Sequence, residues 1–237
     1  MSKPASNRFA LYVLLAVILA AAGLGYYINS LRLSDTSAAS ATAAEATSDE
    51  TPATPFDASA LALGKDDIMI GKRSAPVTIV EYSSLSCPHC AYFHTKLLPE
   101  VKKAVIDTGK ARLIIRPFPL NLPALRASML VECTPKESRV TLLETLYARQ
   151  DDWAFTPAFE ARLKAIAEGY GIDEAAFTRC MSNAEAETKI LGSRKTGMEK
   201  LHVSGTPSFF INETLFQPAD GLTAEAMIEA VKAAMAE

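Results

Sequence analysis

Cys87-Pro88-His89-Cys90 puts two thiols three positions apart, a spacing that can close a reactive disulfide and exchange it with another thiol. The nucleophile in such exchange is the thiolate, so the pKa of one sulfur governs the chemistry. Directly upstream, Val77-Thr-Ile-Val-Glu-Tyr82 is an apolar, β-branched run of strand length. Downstream, from Ala91 to Val105, apolar residues at Phe93, Leu97, Leu98, Val101 and Val105 recur at helical spacing. The pair therefore stands where a strand hands over to a helix. There Cys87 meets unsatisfied backbone N–H groups and the positive end of the helix dipole, which makes it the more acidic thiol. Cys90, nearly one turn inside, is the resolving thiol.

The two residues between them tune the couple. Pro88 presets φ for the first turn and gives up an N–H that has no partner there, while His89 is expected to donate to, or charge-pair with, the Cys87 thiolate. If the Cys87 pKa fell from roughly 8.5 to about 4.5, the thiolate would gain about 3.4 kcal/mol at pH 7, or roughly 70 mV of oxidising potential. The disulfide would then be an oxidant. A CxxC is also half of a zinc site, or two buried small side chains. His94 could add a third ligand, but no second CxxC or HxxxH exists and the other cysteines, Cys133 and Cys180, are isolated. His94 is read as a helix-surface or packing residue, and neither a metal nor another cofactor is expected.

Together with the later Val203-Ser-Gly-Thr-Pro-Ser-Phe-Phe-Ile-Asn212, the strand and CPHC resemble the DsbA-like thioredoxin-fold thiol:disulfide oxidoreductases over about residues 65 to 235. The resemblance implies an α/β thioredoxin fold with an inserted helical domain, and a cis Thr206-Pro207 bond beside the active-site pair. Thr206 would offer backbone groups to a substrate polypeptide as an added strand. It also implies that Glu81, six residues before Cys87, is a buried carboxylate that handles the proton of Cys90. The residues alone show only an acid in an apolar strand, buried or solvated at an edge, with Arg116 as its suggested partner. Proline at 207 is also compatible with the start of an edge strand. Asn212-Glu213-Thr214 stands where the family often has Asn-Gly, so a longer hairpin is expected.

The chain is 237 residues long, 49% hydrophobic and 22% charged, with net charge −3. Residues 1–32 carry three basic residues and no acids, and 33–60 carry five acids and no Lys or Arg. The remainder has 21 basic and 22 acidic residues, which speaks against a nucleic-acid surface. Phe9 to Ile28 is an uncharged run of 20 residues, about 30 Å as a helix, preceded by Lys3 and Arg8. Residues 1–32 are read as an uncleaved membrane anchor, with cleavage near Ala20-Ala21-Ala22 as the alternative. Residues 33–60 read as a disordered tether spanning roughly 25–30 Å on average. The expected location is the periplasmic face of a bacterial inner membrane, or the soluble periplasm after cleavage.

Residues 61–237 are expected to form the folded domain, with its helical insert at about 121–201. Thr156-Pro157, Asp173, the Ser182/Glu185 capping box and Thr223 mark helix starts, and Leu215 to Gln217 is a hairpin mate for Ser208 to Asn212. Cys133 and Cys180 lie near the ends of two insert helices. In an exported protein they form either a second, structural disulfide or two free buried thiols. Trp153, Tyr147, Phe155 and Phe159 form either core or a peptide groove.

The activity these readings favour is donation of a disulfide to exported polypeptides. The resemblance implies reoxidation by a DsbB-like, quinone-linked membrane partner. The alternatives are a reductase or isomerase of the same fold, with which Thr before Pro207 is compatible, and a metal-binding chaperone using CPHC.

Overall fold

The computed structural model describes residues 56–236. The expected membrane helix and nearly all of the expected tether lie outside them. Among the described residues no helix is long and apolar enough to cross a membrane, and no group of three or more His, Cys, Asp and Glu side chains could hold a metal ion.

Five strands build one sheet: β1 (Ile68–Ile70), β2 (Val77–Ser83), β3 (Ala111–Pro117), β4 (Ser208–Ile211) and β5 (Thr214–Phe216). Their order is β1-β3-β2-β4-β5, with β2 parallel to β3 and every other pair antiparallel. Residues 88–106 form one long helical segment, α1, which crosses from β2 to β3. The insert contributes α2 (Leu122–Cys133), α3 (Lys136–Ala148), α4 (Gln150–Trp153), α5 (Phe159–Glu168), α6 (Glu174–Met181) and α7 (Ala184–Leu201) before the chain returns to β4. The last helix is α8 (Ala224–Ala234). This is the thioredoxin arrangement interrupted by a helical insertion.

The two-residue period of the strands divides the core in two. Ile79, Leu113, Ile115 and Phe209 pack with Phe93, Val101 and Val105 of α1, Met227 and Val231 of α8, and the insert. Val80, Tyr82, Ile114 and Phe210 pack on the other face with Leu61, Leu201 and Val203. Each fully buried aliphatic or Phe side chain here contributes about 1.5–3 kcal/mol. Helix α7 comes so close to the second face that a Cβ on Gly197 would stand 2.8 Å from the Tyr82 ring. Only glycine allows that approach.

Several local expectations are corrected. Helix α1 is not uniform: α-helical Pro88–Tyr92 and Leu98–Val101 alternate with π turns at Phe93–Leu97 and Lys102–Ile106. Pro99 has no N–H to give to the preceding turn, and a widened turn accommodates it. The β4–β5 hairpin is short rather than long, with Ile211 opposite Thr214 and Asn212 at φ 52°. Asparagine tolerates that left-handed conformation, as glycine would. Helix α7 is capped by Asn183, whose side chain accepts from the Ala186 N–H, one residue beyond the expected Ser182. Helix α5 starts at Phe159, two residues past Pro157. Asp173 and Thr223 cap α6 and α8.

Candidate active site

Cys87 is the N-cap of α1, in an extended conformation, with Pro88 at the first helical position. Its N–H donates to Ser84 O at 3.0 Å, and its carbonyl accepts from Ala91 N at 3.1 Å, which sets the sulfur at the helix mouth. Both Cys87 and Cys90 are free thiols, 5% and 0% exposed. The Cys87 pKa is lowered to about 5, first by a hydrogen bond from the Cys90 thiol, against the opposing effect of burial. The Thr206 hydroxyl and the backbone N–H groups of Cys90 and His89 add to the lowering. Cys90 moves the other way, far above the ordinary thiol range, because it is buried, hydrogen-bonded to Cys87 and close to the Glu81 charge. One sulfur is thus ionised at neutral pH and its neighbour holds its proton.

His89 acts through its backbone. Its side chain is exposed, and its N–H belongs to the first turn, where such donors point back at the N-cap. The Thr206-Pro207 peptide bond is cis. Thr206 O lies 3.2 Å from Cys87 Sγ, placed to accept from the thiol. The Thr206 hydroxyl is buried and has no partner among the described residues, so it is the donor available to the sulfur once ionised.

Beneath the pair lies Glu81, 0% exposed and central in β2. Its Oε2 is 2.9 Å from His94 Nε2, and its Oε1 accepts from Ser83 Oγ at 2.6 Å. Ser83 Oγ is also 2.6 Å from the Tyr147 hydroxyl, and the Tyr147 ring stacks on His94 with centroids 4.1 Å apart. Burial first, with Cys90 and Glu81 as close neighbours, pushes the Tyr147 phenol well above its usual range. Arg116 is not part of this cluster. It pairs with Asp67 at 3.0 Å and donates to the carbonyls of Ala60 and Ala62. The register explains why: Arg116 lies beside Tyr82, whose side chain belongs to the opposite face from Glu81. The partner of Glu81 is His94, a buried member of the site rather than a helix-surface residue.

Gln150 of α4 was not singled out by sequence. Its Nε2 donates to Leu85 O at 2.7 Å and to Cys87 O at 3.0 Å, tying the insert to the loop that carries the reactive sulfur. Trp153 and Tyr147 are core, whereas Phe155 is 58% exposed. Cys133 and Cys180 are bonded to each other, with Cα atoms 5.7 Å apart, and join the end of α2 to α6.

A family model described as thioredoxin matches residues 64–233. The chain belongs to the thioredoxin family. Among solved structures, alpha-DsbA1 of Wolbachia pipientis is 27% identical, with a TM-score of 0.68 over 76% of this chain and 96% of that one. BdbD of Bacillus subtilis, 20% identical with a TM-score of 0.64 over 73% of this chain and 95% of that one, shares the fold. A protein of Rickettsia conorii named as a protein-disulfide oxidoreductase is 32% identical over 148 residues, 62% of this chain and 53% of that protein. The chain thus spans about half the length of that curated relative. The family likeness covers both the CPHC junction and the cis-proline strand, the two segments that meet at Cys87.

Proposed function

We propose that this protein is a thiol:disulfide oxidoreductase whose oxidised CPHC pair donates its disulfide to exported polypeptides. The observation that carries the reading is the opposed tuning of the two sulfurs: Cys87 ionised at neutral pH, Cys90 buried and protonated. A stabilised thiolate stabilises the reduced form, so the disulfide is energetically disposed to pass on. A substrate thiolate attacks Cys87 Sγ; the Cys87–Cys90 bond breaks as the substrate–Cys87 bond forms, and the electron pair leaves on Cys90. A second substrate thiolate then attacks the substrate sulfur and releases Cys87 as its thiolate, which is a good leaving group because its pKa is low.

The apolar run Phe9 to Ile28 supports membrane anchorage with the domain on the periplasmic side, and reoxidation by a quinone-linked membrane oxidase fits that placement. The roles assigned are Cys87 as attacked and attacking sulfur, Cys90 as resolving thiol, Glu81 as buried proton partner and Thr206 as backbone docking point. The Cys133–Cys180 bond serves as a structural brace. The test is the reduction potential together with oxidation of a dithiol peptide by the disulfide form. A potential well above that of thioredoxin and rapid peptide oxidation are expected. A potential as low as thioredoxin's, with efficient insulin reduction, rejects the donor assignment in favour of a reductase.

A further inference from the structure

The charge of the folded domain is unevenly placed. Residues 71–76 and 102–112 carry six basic side chains, Lys72, Arg73, Lys102, Lys103, Lys110 and Arg112, against one acid, Asp107, whereas the other residues from 61 to 237 carry 15 basic and 21 acidic ones. The fold brings the two segments together. Ala111 and Arg112 open β3 beside Val77 and Thr78 of β2, Arg112 donates to the Ala75 carbonyl at 2.8 Å, and the Lys72 side chain lies over the turn at Gly109. Lys102 and Lys103 stand in the last turns of α1, just before that turn. Lys72, Arg73, Lys103 and Lys110 are exposed.

These charges are also unanswered. Among the described residues none of the six forms an ion pair with a carboxylate, whereas ten of the other 15 basic residues do. Cations near the C-terminus of a helix answer its dipole, but Lys72 and Arg73 belong to no helix. A concentration of one sign sets up a potential that attracts an oppositely charged surface. The basic pole is at the far end of the sheet from the reactive sulfur. Cys87 follows the C-terminal end of β2, whereas these residues flank the N-terminal ends of β2 and β3 and the end of α1, which spans roughly 25–30 Å. The described chain enters beside Lys200 and Phe210, where Asp57 N donates to Lys200 O at 2.7 Å, and reaches Ala60 and Ala62 at the Arg116 guanidinium. Phe210 lies beside Val80 and Arg116 beside Tyr82, so the incoming chain advances along the sheet away from the basic pole and toward the thiols.

We propose that this basic pole rests on an anionic phospholipid surface and holds the CPHC pair facing away from it. The inference rests on the membrane anchorage proposed above, which keeps the domain near a bilayer. Anionic headgroups attract Lys and Arg close to the surface, and the attraction fades within about 8–10 Å at ordinary salt, so only the pole in contact feels it. The acid-rich remainder of the domain is repelled by the same surface, and the two effects select one orientation. The direction of the incoming chain favours a membrane over a soluble acidic polypeptide, because a chain arriving from the side of the pole leaves the thiols outermost. In this orientation Cys87 is presented to polypeptides in the aqueous space.

The test uses the full chain reconstituted in vesicles of phosphatidylcholine, alone or with phosphatidylglycerol added, and follows the acetylation of each lysine by mass spectrometry. Lys72, Lys103 and Lys110 should be modified severalfold more slowly in the phosphatidylglycerol vesicles, Lys164 and Lys195 at the same rate in both, and high salt should abolish the difference. The combined variant Lys72→Glu, Lys103→Glu and Lys110→Glu should lose the effect of lipid composition at Lys102, while its oxidation of a dithiol peptide in detergent stays at the wild-type rate. Equal modification in the two kinds of vesicle, or slowing spread evenly over all lysines, overturns the docking. Protection of the pole by soluble polyglutamate, with none from phosphatidylglycerol, also overturns it and assigns the pole to an acidic polypeptide. Release of the full chain from phosphatidylcholine vesicles by alkaline carbonate refutes the anchorage, which is a different outcome. Docking is then read from co-sedimentation with phosphatidylglycerol vesicles, where equal binding of the wild type and the combined variant overturns it.

Discussion

Replacing Cys90 by alanine removes the thiol hydrogen that is the largest cause of the acidity of Cys87. A hydrogen bond to a charged acceptor contributes about 1.5–3 kcal/mol, and one pKa unit corresponds to about 1.4 kcal/mol, so its loss should raise the Cys87 pKa by about one to two units. From a starting value of about 5, the midpoint should move to roughly 6–7. It should not return to the free-thiol value, because the helix-start N–H groups and the Thr206 hydroxyl remain. The variant carries one reactive thiol, so alkylation by iodoacetamide followed against pH reads that sulfur alone. In the wild type the same titration should show one group near 5 and no second thiol ionising below pH 9, since Cys90 is pushed upward. A Cys90→Ala midpoint still near 5 would refute the reasoning and assign the acidity to the helix terminus.

Other outcomes follow from the same geometry. Because the Cys87 pKa is depressed, the stabilisation of the reduced form is fully present above the ordinary thiol pKa and is lost as pH falls through about 5. The reduction potential, measured electrochemically, should therefore change by about 30 mV per pH unit between pH 5 and 9, and by about 60 mV per unit below pH 5; a uniform steeper slope up to pH 8.5 would contradict an ionised Cys87. Glu81→Leu and His94→Leu should each cost about 3–5 kcal/mol in urea unfolding, since each strands a buried polar partner, and the double variant should cost clearly less than their sum. Additive losses would show that the two side chains do not act as a pair. Cys133→Ser with Cys180→Ser opens a bond across a sequence separation of 47 and should lower stability by about 4 kcal/mol in the chain-entropy account, while peptide oxidation at room temperature persists.

The elements that carry the site are those with strong local periodicity. The β-branched run ending at Ser83 and the apolar spacing through α1 announce a strand-to-helix junction, and Asp173 and Thr223 announce helix starts by capping chemistry. What escapes such reading is contact between distant residues. Tyr147 is 64 positions from Ser83, and Gln150 is 63 from Cys87. No pattern in either segment points at the other. The pairing of Glu81 with His94 rather than Arg116 depends on register: with Tyr82 beside Arg116, the alternation of the strands sends the arginine to the opposite face. Neighbouring polar residues that compete to cap, such as Ser182 and Asn183, leave helix starts ambiguous by a residue or two. Strand β1, only three residues long, has too few positions to show alternation.

The Gln150 amide makes the insert part of the support of the site. A carbonyl of the Cys87 loop is held by a side chain that belongs to another layer of the molecule, at the end of a helix pair built around Trp153 and Leu146. A small tilt of that layer would pull on the Cys87 carbonyl, which also closes the first turn of α1 by accepting from Ala91 N. The insert and the loop of the reactive thiol are thus mechanically joined, with the amide serving as the lever.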